Sequence, residues 1–425
     1  MYDVIVIGGG LGYVSAIILA KKGKKVALIE KNISHIGGTC LNNGCIPSKN
    51  LLHRAKTLIE SKEDIFDGEI KINLPKLQEK ISLNLEKNHR AILNQLKNAG
   101  VEIIEAEGFV VDDGVEVNGK ILKSEYIIIA TGAKPKIPQN IEYDGKKIIT
   151  SNEALNFKET PKSISIYGSG AIGLEMASFF ASIGSKVNLI YRHEHISKKI
   201  DAEIVENIEK ELKTIGINLI PNTEIKSVKV EKEVVINEEI KSDYLLVATG
   251  RVPNTDCVKT DKIKIQKGIV VDEFFKTSMK NVYAIGDCNG LVELAHAARA
   301  EAINVANQIL GKKEVLNLDT IPRFIYTIPL SYASVGKKAK EGSYKIVHLG
   351  ISNSSFLDEL GIVKVYADEE GFITGGEIFA PNAEELIGII ETAIISEIDV
   401  ELFKKAIFPH PTYSEAIDRA LRRIR

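Results

Sequence analysis

Apolar residues first gather in a short run, Val4–Ile7, which glycines follow at once. Beyond the glycines, Val14–Lys22 places apolar residues at helical spacing, and Val26–Ile29 is a second apolar run ending in Glu30. Strand, glycine turn, helix, strand is the order of a nucleotide-binding α/β unit. It returns at Ser163–Tyr167, followed by glycines, a helix from about Ile172 to Ile183 and a strand Val187–Tyr191. From about Asn50 to Asn98 the chain is highly charged with helical apolar spacing, and short strands and turns fill about 101–130. In the closing third, Phe324–Tyr326, Lys345–Leu349, Ile362–Tyr366 and Ile373–Phe379 read as strands of a mixed sheet, and Ala383–Ile395 as an amphipathic helix. The predicted fold class is α/β, with two Rossmann-like nucleotide-binding domains and a C-terminal α+β domain. Pro-containing segments near Pro135–Pro138, Pro161 and Pro322 are the expected linkers.

Composition narrows the class. A chain of 425 residues exceeds one ordinary core, so several domains are expected. The formal net charge of −2 gives no broad electrostatic reason to expect nucleic acid or an anionic membrane as partner. No basic, cleavable apolar segment precedes Val4, and no run reaches the roughly 18–20 apolar residues of a bilayer span. A cytoplasmic protein is expected. In a reducing compartment the four cysteines, Cys40, Cys45, Cys257 and Cys288, are not expected to form a structural disulfide framework. A close pair there points to metal binding or redox work.

The second glycine motif is complete: Gly168-Ser-Gly170-Ala-Ile-Gly173-Leu-Glu175. Gly168 allows the tight turn, Gly170 lets a pyrophosphate approach the backbone, and Gly173 lets helix and strand pack closely. The helix N-terminus then offers free N–H groups to the phosphates. The first motif, Gly8-Gly9-Gly10-Leu11-Gly12-Tyr13, is one residue short, because the third required glycine falls on Tyr13. Either the turn tightens around Gly12 or the sequence carries an error. Glu30, closing the second strand, is placed to take ribose hydroxyls. The segment Gly37-Gly38-Thr39-Cys40-Leu-Asn-Asn-Gly44-Cys45-Ile-Pro47-Ser48-Lys49 holds two close cysteines. Cys257 and Cys288 show no matching spacing, and His35 and His53 complete no known ligand pattern, so a redox dithiol fits better than a metal site. A helix after Pro47 and the cation of Lys49 are expected to stabilise a thiolate there.

This segment closely resembles the active-site signature of the class I pyridine nucleotide–disulfide oxidoreductases, and its wording is most like that of dihydrolipoamide dehydrogenases. The resemblance runs through Ala130-Thr131-Gly132, Ala248-Thr249-Gly250-Arg251-Val-Pro253-Asn254, Tyr283-Ala-Ile-Gly286-Asp287, Leu294-Ala295-His296 and Pro322–Gly336. It ends at His410-Pro411-Thr412-Tyr413-Ser414-Glu415. It implies FAD and NAD or NADP as cofactors. It implies that Cys40 is the interchange thiol and Cys45 the thiol facing the flavin, with Lys49 and Glu175 as an ion pair beside the flavin. Asp287 would hold the ribityl chain. His410 would be the acid–base histidine, oriented by Glu415 and acting on the other subunit of a homodimer. The implied limits are 1–145 and 256–318 for the FAD domain, 146–255 for the NAD(P) domain and 319–425 for a dimerisation domain.

The sequence departs from the family at several places. Tyr326–Gly336 is one residue longer than usual and lacks the glutamate after Pro329. Phe408 stands where many lipoamide enzymes carry a further histidine. NAD-specific members usually end the second strand of the second unit in an acid; here Tyr191 is followed by Arg192, His193 and Lys198. Tyr191–Asp201 resembles the NADPH loop of glutathione reductases, so Arg192 and Lys198 are expected to clasp a 2′-phosphate, and NADP is favoured over NAD. The bland reading is a solvated charged turn. The expected activity is dihydrolipoamide oxidation; the alternative is NADPH-dependent reduction of a low-molecular-weight disulfide such as glutathione. Ala171, where glutathione reductases commonly carry a tyrosine, favours lipoamide, and the lack of a cysteine near the C-terminus disfavours mercuric reductase. Two further readings are the flavoprotein arm of a lipoyl-bearing 2-oxoacid dehydrogenase complex and a flavin-free, inactive chain.

Overall fold

A computed structural model describes residues 1–62, 65–338, 345–349 and 361–424. The chain forms two compact units, each assembled from separated segments. The first comprises Met1–Asn50, Pro75–Lys136 and Gly250–Leu318; the second comprises Leu51–Leu74, Ile137–Thr249 and Asp319–Arg425.

The first unit is built on a parallel sheet ordered Val282–Ala284, Ser124–Ile129, Tyr2–Ile7, Val26–Glu30, Glu102–Glu105. Strands of such a sheet are covered on both faces, which is why they read as unbroken apolar runs. Val4, Val6 and Leu28 pack with Ala16 and Leu19 of the helix Gly12–Lys21 and with Ala302 and Val305 of the helix Ala295–Ile309. Ile5, Ile7 and Ile29 pack on the opposite face with Val110, Val115 and Ile269. The predicted helical stretch resolves into Cys45–Glu60 and Leu74–Ala99.

The second unit holds a parallel sheet ordered Ile217–Ile220, Lys186–Ile190, Ser163–Tyr167, Tyr244–Val247, Ile148–Ile149. In both sheets the strand that carries the glycine turn lies in the middle. Each turn therefore sits where the strand order reverses, the place where open α/β sheets bind nucleotides.

The same unit holds a third sheet, ordered Arg323–Ile325, Ser331–Gly336, Ile373–Ala380, Ile362–Ala367, Lys345–Leu349. Two expectations are corrected here. Each described pairing in the sheet is antiparallel, so it is not the mixed sheet expected. Ser331–Gly336, not predicted, is one of its strands. The helix Ala383–Ile395 lays Ile387 and Ile390 against Ala333, Val335, Val363, Val365 and Ile378. The expected linker near Pro135–Pro138 contains a division between the units. Ala133–Pro135 pairs with Arg251–Pro253 inside the first unit, and the division between units falls one residue later, after Lys136. Among the described residues no helix is long and apolar enough to cross a membrane.

Candidate active site

The two glycine turns start from the same bonds. Gly8 N–H donates to Ile29 O and Gly168 N–H to Ile190 O, each at 2.9 Å. Gly8 and Gly168 have φ of +104° and +119°, and a Cβ on either would stand 2.3 Å from the carbonyl oxygen of Ala130 or Ala248. Only glycine meets both demands.

Beyond that point they differ. The helix Ala171–Ser182 opens after Gly170, and Gly173 is its third residue; a Cβ there would fall 1.8 Å from Gly168 O. The first helix opens at Gly12 itself, where a Cβ would meet Ala130 Cβ at 2.7 Å and Val6 Cγ1 at 3.0 Å. Gly12 thus takes the packing role of Gly173, and the missing residue is lost from the helix's first turn. The turn tightens as the first of the two readings expects. Tyr13 and Val14 N–H groups bond back three residues, to Gly10 O at 3.4 Å and Leu11 O at 3.1 Å.

Glu30 holds this turn as well. Its Oε2 accepts from Gly9 N–H at 2.6 Å and its Oε1 from Asn32 N–H at 3.0 Å. Each carboxylate oxygen keeps a lone pair for a sugar hydroxyl. Gly37 N–H donates to Gly9 O at 2.7 Å, and a Cβ on Gly38 would stand 2.7 Å from Gly10 Cα. This close approach seats the start of the helix Gly38–Asn43, which carries Cys40, on the glycine turn.

Cys45 opens the next helix, two residues ahead of Pro47 rather than after it as expected. Proline is tolerated in a first helical turn because its missing N–H has no partner to lose there. Cys45 therefore occupies the helix N-terminus, whose partial positive charge favours a thiolate. Cys40 is half-buried and Cys45 exposed. Interaction with the neighbouring Cys45 side chain, and then burial, push the Cys40 thiol pKa up. Lys49 lies one turn along the same helix, at the spacing that shares a face with Cys45.

Elsewhere in the first unit, Thr131 Oγ1 donates to Asn254 O at 2.7 Å and Asn254 Nδ2 donates to Thr131 O at 2.9 Å, clamping two crossover segments together. Gly132 and Gly250 have positive φ with open space beside them. Arg251 Nε stands 3.7 Å from Asp287 Oδ2, and its guanidinium also donates to Ala133 O. Burial raises the Asp287 pKa and Arg251 draws it back. Gly286 precedes Asp287 with φ +69°, and Ala295 opens its helix nearby in sequence. Glu301, fully buried, accepts from Gly286 N–H at 2.7 Å and Asn289 Nδ2 at 2.9 Å, and burial pushes its pKa up to about 7. Sequence reasoning singled out none of Arg251, Asn254 and Glu301. The first two lie inside a quoted motif; the signal for Glu301 was a lone acid on the buried side of an alanine-rich helix.

In the second unit, His410 Nδ1 lies 2.9 Å from Glu415 Oε1, and Thr412 N–H donates to Glu415 Oε2 at 3.1 Å. The hydrogen bond to His410 holds the Glu415 carboxyl below the usual range. Glu175 is buried and accepts from Tyr326 N–H at 3.0 Å. Tyr191 is buried, whereas Arg192 and Lys198 are exposed.

These surroundings fit two dinucleotides. Gly10 and Gly170 leave room where a pyrophosphate would approach, as no Cβ placed on them would meet an atom closer than 3.8 Å and 4 Å respectively. A half-buried carboxylate, Asp287, suits a hydroxyl-bearing chain in the first unit. Fold and site together define a nucleotide-dependent dithiol–disulfide oxidoreductase. Residues 2–302 match the family described as pyridine nucleotide-disulphide oxidoreductase, and residues 321–421 match its dimerisation domain. The chain belongs to this family, in its class I group, and is an FAD-dependent NAD(P)–disulfide oxidoreductase.

Among curated relatives it is 34% identical to the mitochondrial dihydrolipoyl dehydrogenase of Pisum sativum, over 98% of this chain and 90% of that protein. It is 32% identical to a mercuric reductase of Lysinibacillus sphaericus, over 99% of this chain and 82% of that protein. The HOCl-induced flavoprotein disulfide reductase RclA from Escherichia coli superposes with a TM-score of 0.88 at 25% identity, covering 100% of both chains.

Proposed function

We propose that the chain is a dihydrolipoamide dehydrogenase, oxidising dihydrolipoamide through a Cys40–Cys45 disulfide with NAD(P)⁺ as final acceptor. The observation that carries this reading is the contact between Cys40 and Cys45, with Cys45 at a helix N-terminus, inside the lipoamide-type wording of residues 40–49. The likeness to a dihydrolipoyl dehydrogenase over nearly the whole chain supports it.

With Nδ1 turned to Glu415, His410 keeps Nε2 to take a proton from a substrate thiol. The thiolate attacks Cys40 Sγ; the Cys40–Cys45 bond breaks, and Cys45 leaves as a thiolate favoured by its helix N-terminus. The second substrate thiol, losing its proton, attacks the substrate sulfur of the mixed disulfide. That bond breaks, cyclic lipoamide departs, and Cys40 leaves as a thiol with the proton from His410. Two electrons and one proton then reside on the cysteine pair, and the second proton passes to solvent. FAD, when bound, supplies the two-electron relay between this dithiol and the nicotinamide.

Gly8, Gly10, Gly12, Glu30, Thr131, Gly132, Gly286, Asp287 and Ala295 are assigned to FAD, with Lys49 and Glu175 as an ion pair beside it. Gly168, Gly170, Gly173 and Gly250 are assigned to the nicotinamide nucleotide, and Arg192 and Lys198 to a 2′-phosphate. The same reading divides the chain into FAD domain (1–145 and 256–318), NAD(P) domain (146–255) and dimerisation domain (319–425). In a homodimer, which the dimerisation domain supports, His410 serves the disulfide of the partner subunit.

The exposed Arg192 and Lys198 favour one second reading, an NADPH-driven reductase of a small disulfide. Cys40→Ser is expected to abolish dihydrolipoamide oxidation, and His410→Gln to slow it by about 10²–10⁴-fold, both with full FAD content. Undiminished turnover by His410→Gln would remove the histidine from the mechanism.

A further inference from the structure

We propose that Lys364 is a positioning residue for the nucleotide-selecting loop 191–201, with Glu377 as its support; the inference rests on the assignment of Arg192 and Lys198 to the nucleotide. The loop leaves the strand Lys186–Ile190 and ends in the helix Ala202–Thr214. Its entry is fixed by buried Tyr191, whose N–H donates to Ile220 O at 3.1 Å. Its middle is tied to the glycine turn, since Ser169 Oγ donates to Ile196 O at 2.8 Å. Glu209 Oε1 accepts from Ile196 N–H at 2.9 Å.

The exit is held from the antiparallel sheet. Asp201 caps the helix by accepting from Glu203 N–H at 3.1 Å. Lys364 Nζ bonds to the same carboxylate oxygen of Asp201 and reaches Glu203 Oε2 at 2.9 Å. Glu377 Oε1 accepts from Asp201 N–H at 3.2 Å.

Lys364 and Glu377 stand opposite each other on neighbouring strands, each 2% exposed. Their neighbours Val363, Val365 and Ile378 point into the apolar cluster under the helix Ala383–Ile395, so the pleat turns Lys364 and Glu377 to the other face. There Tyr332 and Tyr366 hydroxyls donate to Glu377 at 2.8 Å each, and Lys338 Nζ lies 3.3 Å from it. A buried ion pair gains little stability over apolar residues of the same size. What this one supplies is direction: Lys364 and Glu377 grip the side chain and the N–H of one loop residue. Arg192 and Lys198 are thereby carried on a strap fixed at its start, middle and end.

The test uses the FAD-loaded enzyme. NADP⁺ and NAD⁺ affinities are measured by titrating the flavin absorbance, and the rate of flavin reduction by dithiothreitol, which needs no nucleotide, is measured alongside. Lys364→Met is expected to weaken NADP⁺ on the order of tenfold, leave flavin reduction unchanged, and be rescued by Lys364→Arg. Asp201→Asn, which keeps a helix cap, is the second variant and is expected to weaken NADP⁺ in the same way if Lys364→Met does not fold. Unchanged NADP⁺ affinity in either folded variant, or equal loss of affinity and flavin reduction, overturns the proposal. Arg192→Ala separates the two claims. If it leaves the NADP⁺ to NAD⁺ ratio unchanged, the nucleotide assignment fails; weakened binding of both nucleotides by Lys364→Met would still place Lys364 as the loop's anchor.

Discussion

Gly8 and Gly168 make the same bonds to their sheets, yet the helices they introduce begin at different distances from the packing glycine. After Gly168 the helix runs two residues before reaching Gly173; after Gly8 it starts at Gly12. One residue turns a helix by about 100°, so a simple deletion would carry the packing face away from the sheet. The first turn avoids this by giving up helix rather than rotation. Strand contact and helix packing are thus fixed by two glycines, while the residues between them set how many helix N–H groups remain for a ligand. Tyr13 and Val14 N–H already have carbonyl partners in the first turn.

The largest expected effect separates the packing glycines. Gly173→Ala puts a methyl 1.8 Å from a carbonyl oxygen, whereas Gly12→Ala puts one 2.7 Å from another methyl carbon. Gly173→Ala should weaken NADP⁺ by more than about 100-fold, and Gly12→Ala should cost about 1–3 kcal/mol, seen as partial FAD loss on gel filtration. Equal damage at both sites would break the difference drawn between them.

A comparable effect comes from the buried carboxyl that holds Gly286 and Asn289. The Glu301 pKa is raised from the ordinary 4.5 to about 7, so the folded state holds a proton that the unfolded chain releases first. The stability this gives is complete below pH 4.5 and lost as pH rises through about 7, a change of roughly 3 kcal/mol. Urea midpoints measured across this range should fall in the wild type by more than in Glu301→Gln; parallel curves would show that Glu301 titrates normally. The smallest effect sharpens the comparison itself. One alanine inserted between Leu11 and Gly12 restores the longer spacing and should tighten FAD by up to about tenfold, worth about 1 kcal/mol for regained N–H donors. Weaker FAD would mean that the short turn is the better cradle.

What the sequence made legible is local. Val4–Ile7 and Ser163–Tyr167 declared themselves as strands because burial on both faces demands unbroken apolar runs. The dithiol and the His410–Glu415 pair lie within single short segments. The helix start at Cys45 was misplaced because Pro47 looks like a boundary although it fits a first turn. Ser331–Gly336 was missed because its small residues show no strand alternation until Gly375 and Glu377 are seen opposite. Lys364 was missed for another reason. Its meaning depends on a partner far off in the chain, Lys364 and Asp201 being 163 residues apart, and no local pattern encodes such a pair.

The most direct measurement of the central claim is steady-state oxidation of dihydrolipoamide by the purified FAD-loaded protein, with NAD⁺ and NADP⁺ side by side. Turnover that depends on Cys40 and runs faster with NADP⁺ is the predicted result. No turnover with either nucleotide, from protein that retains FAD, would contradict the lipoamide assignment and leave NADPH-driven disulfide reduction in its place.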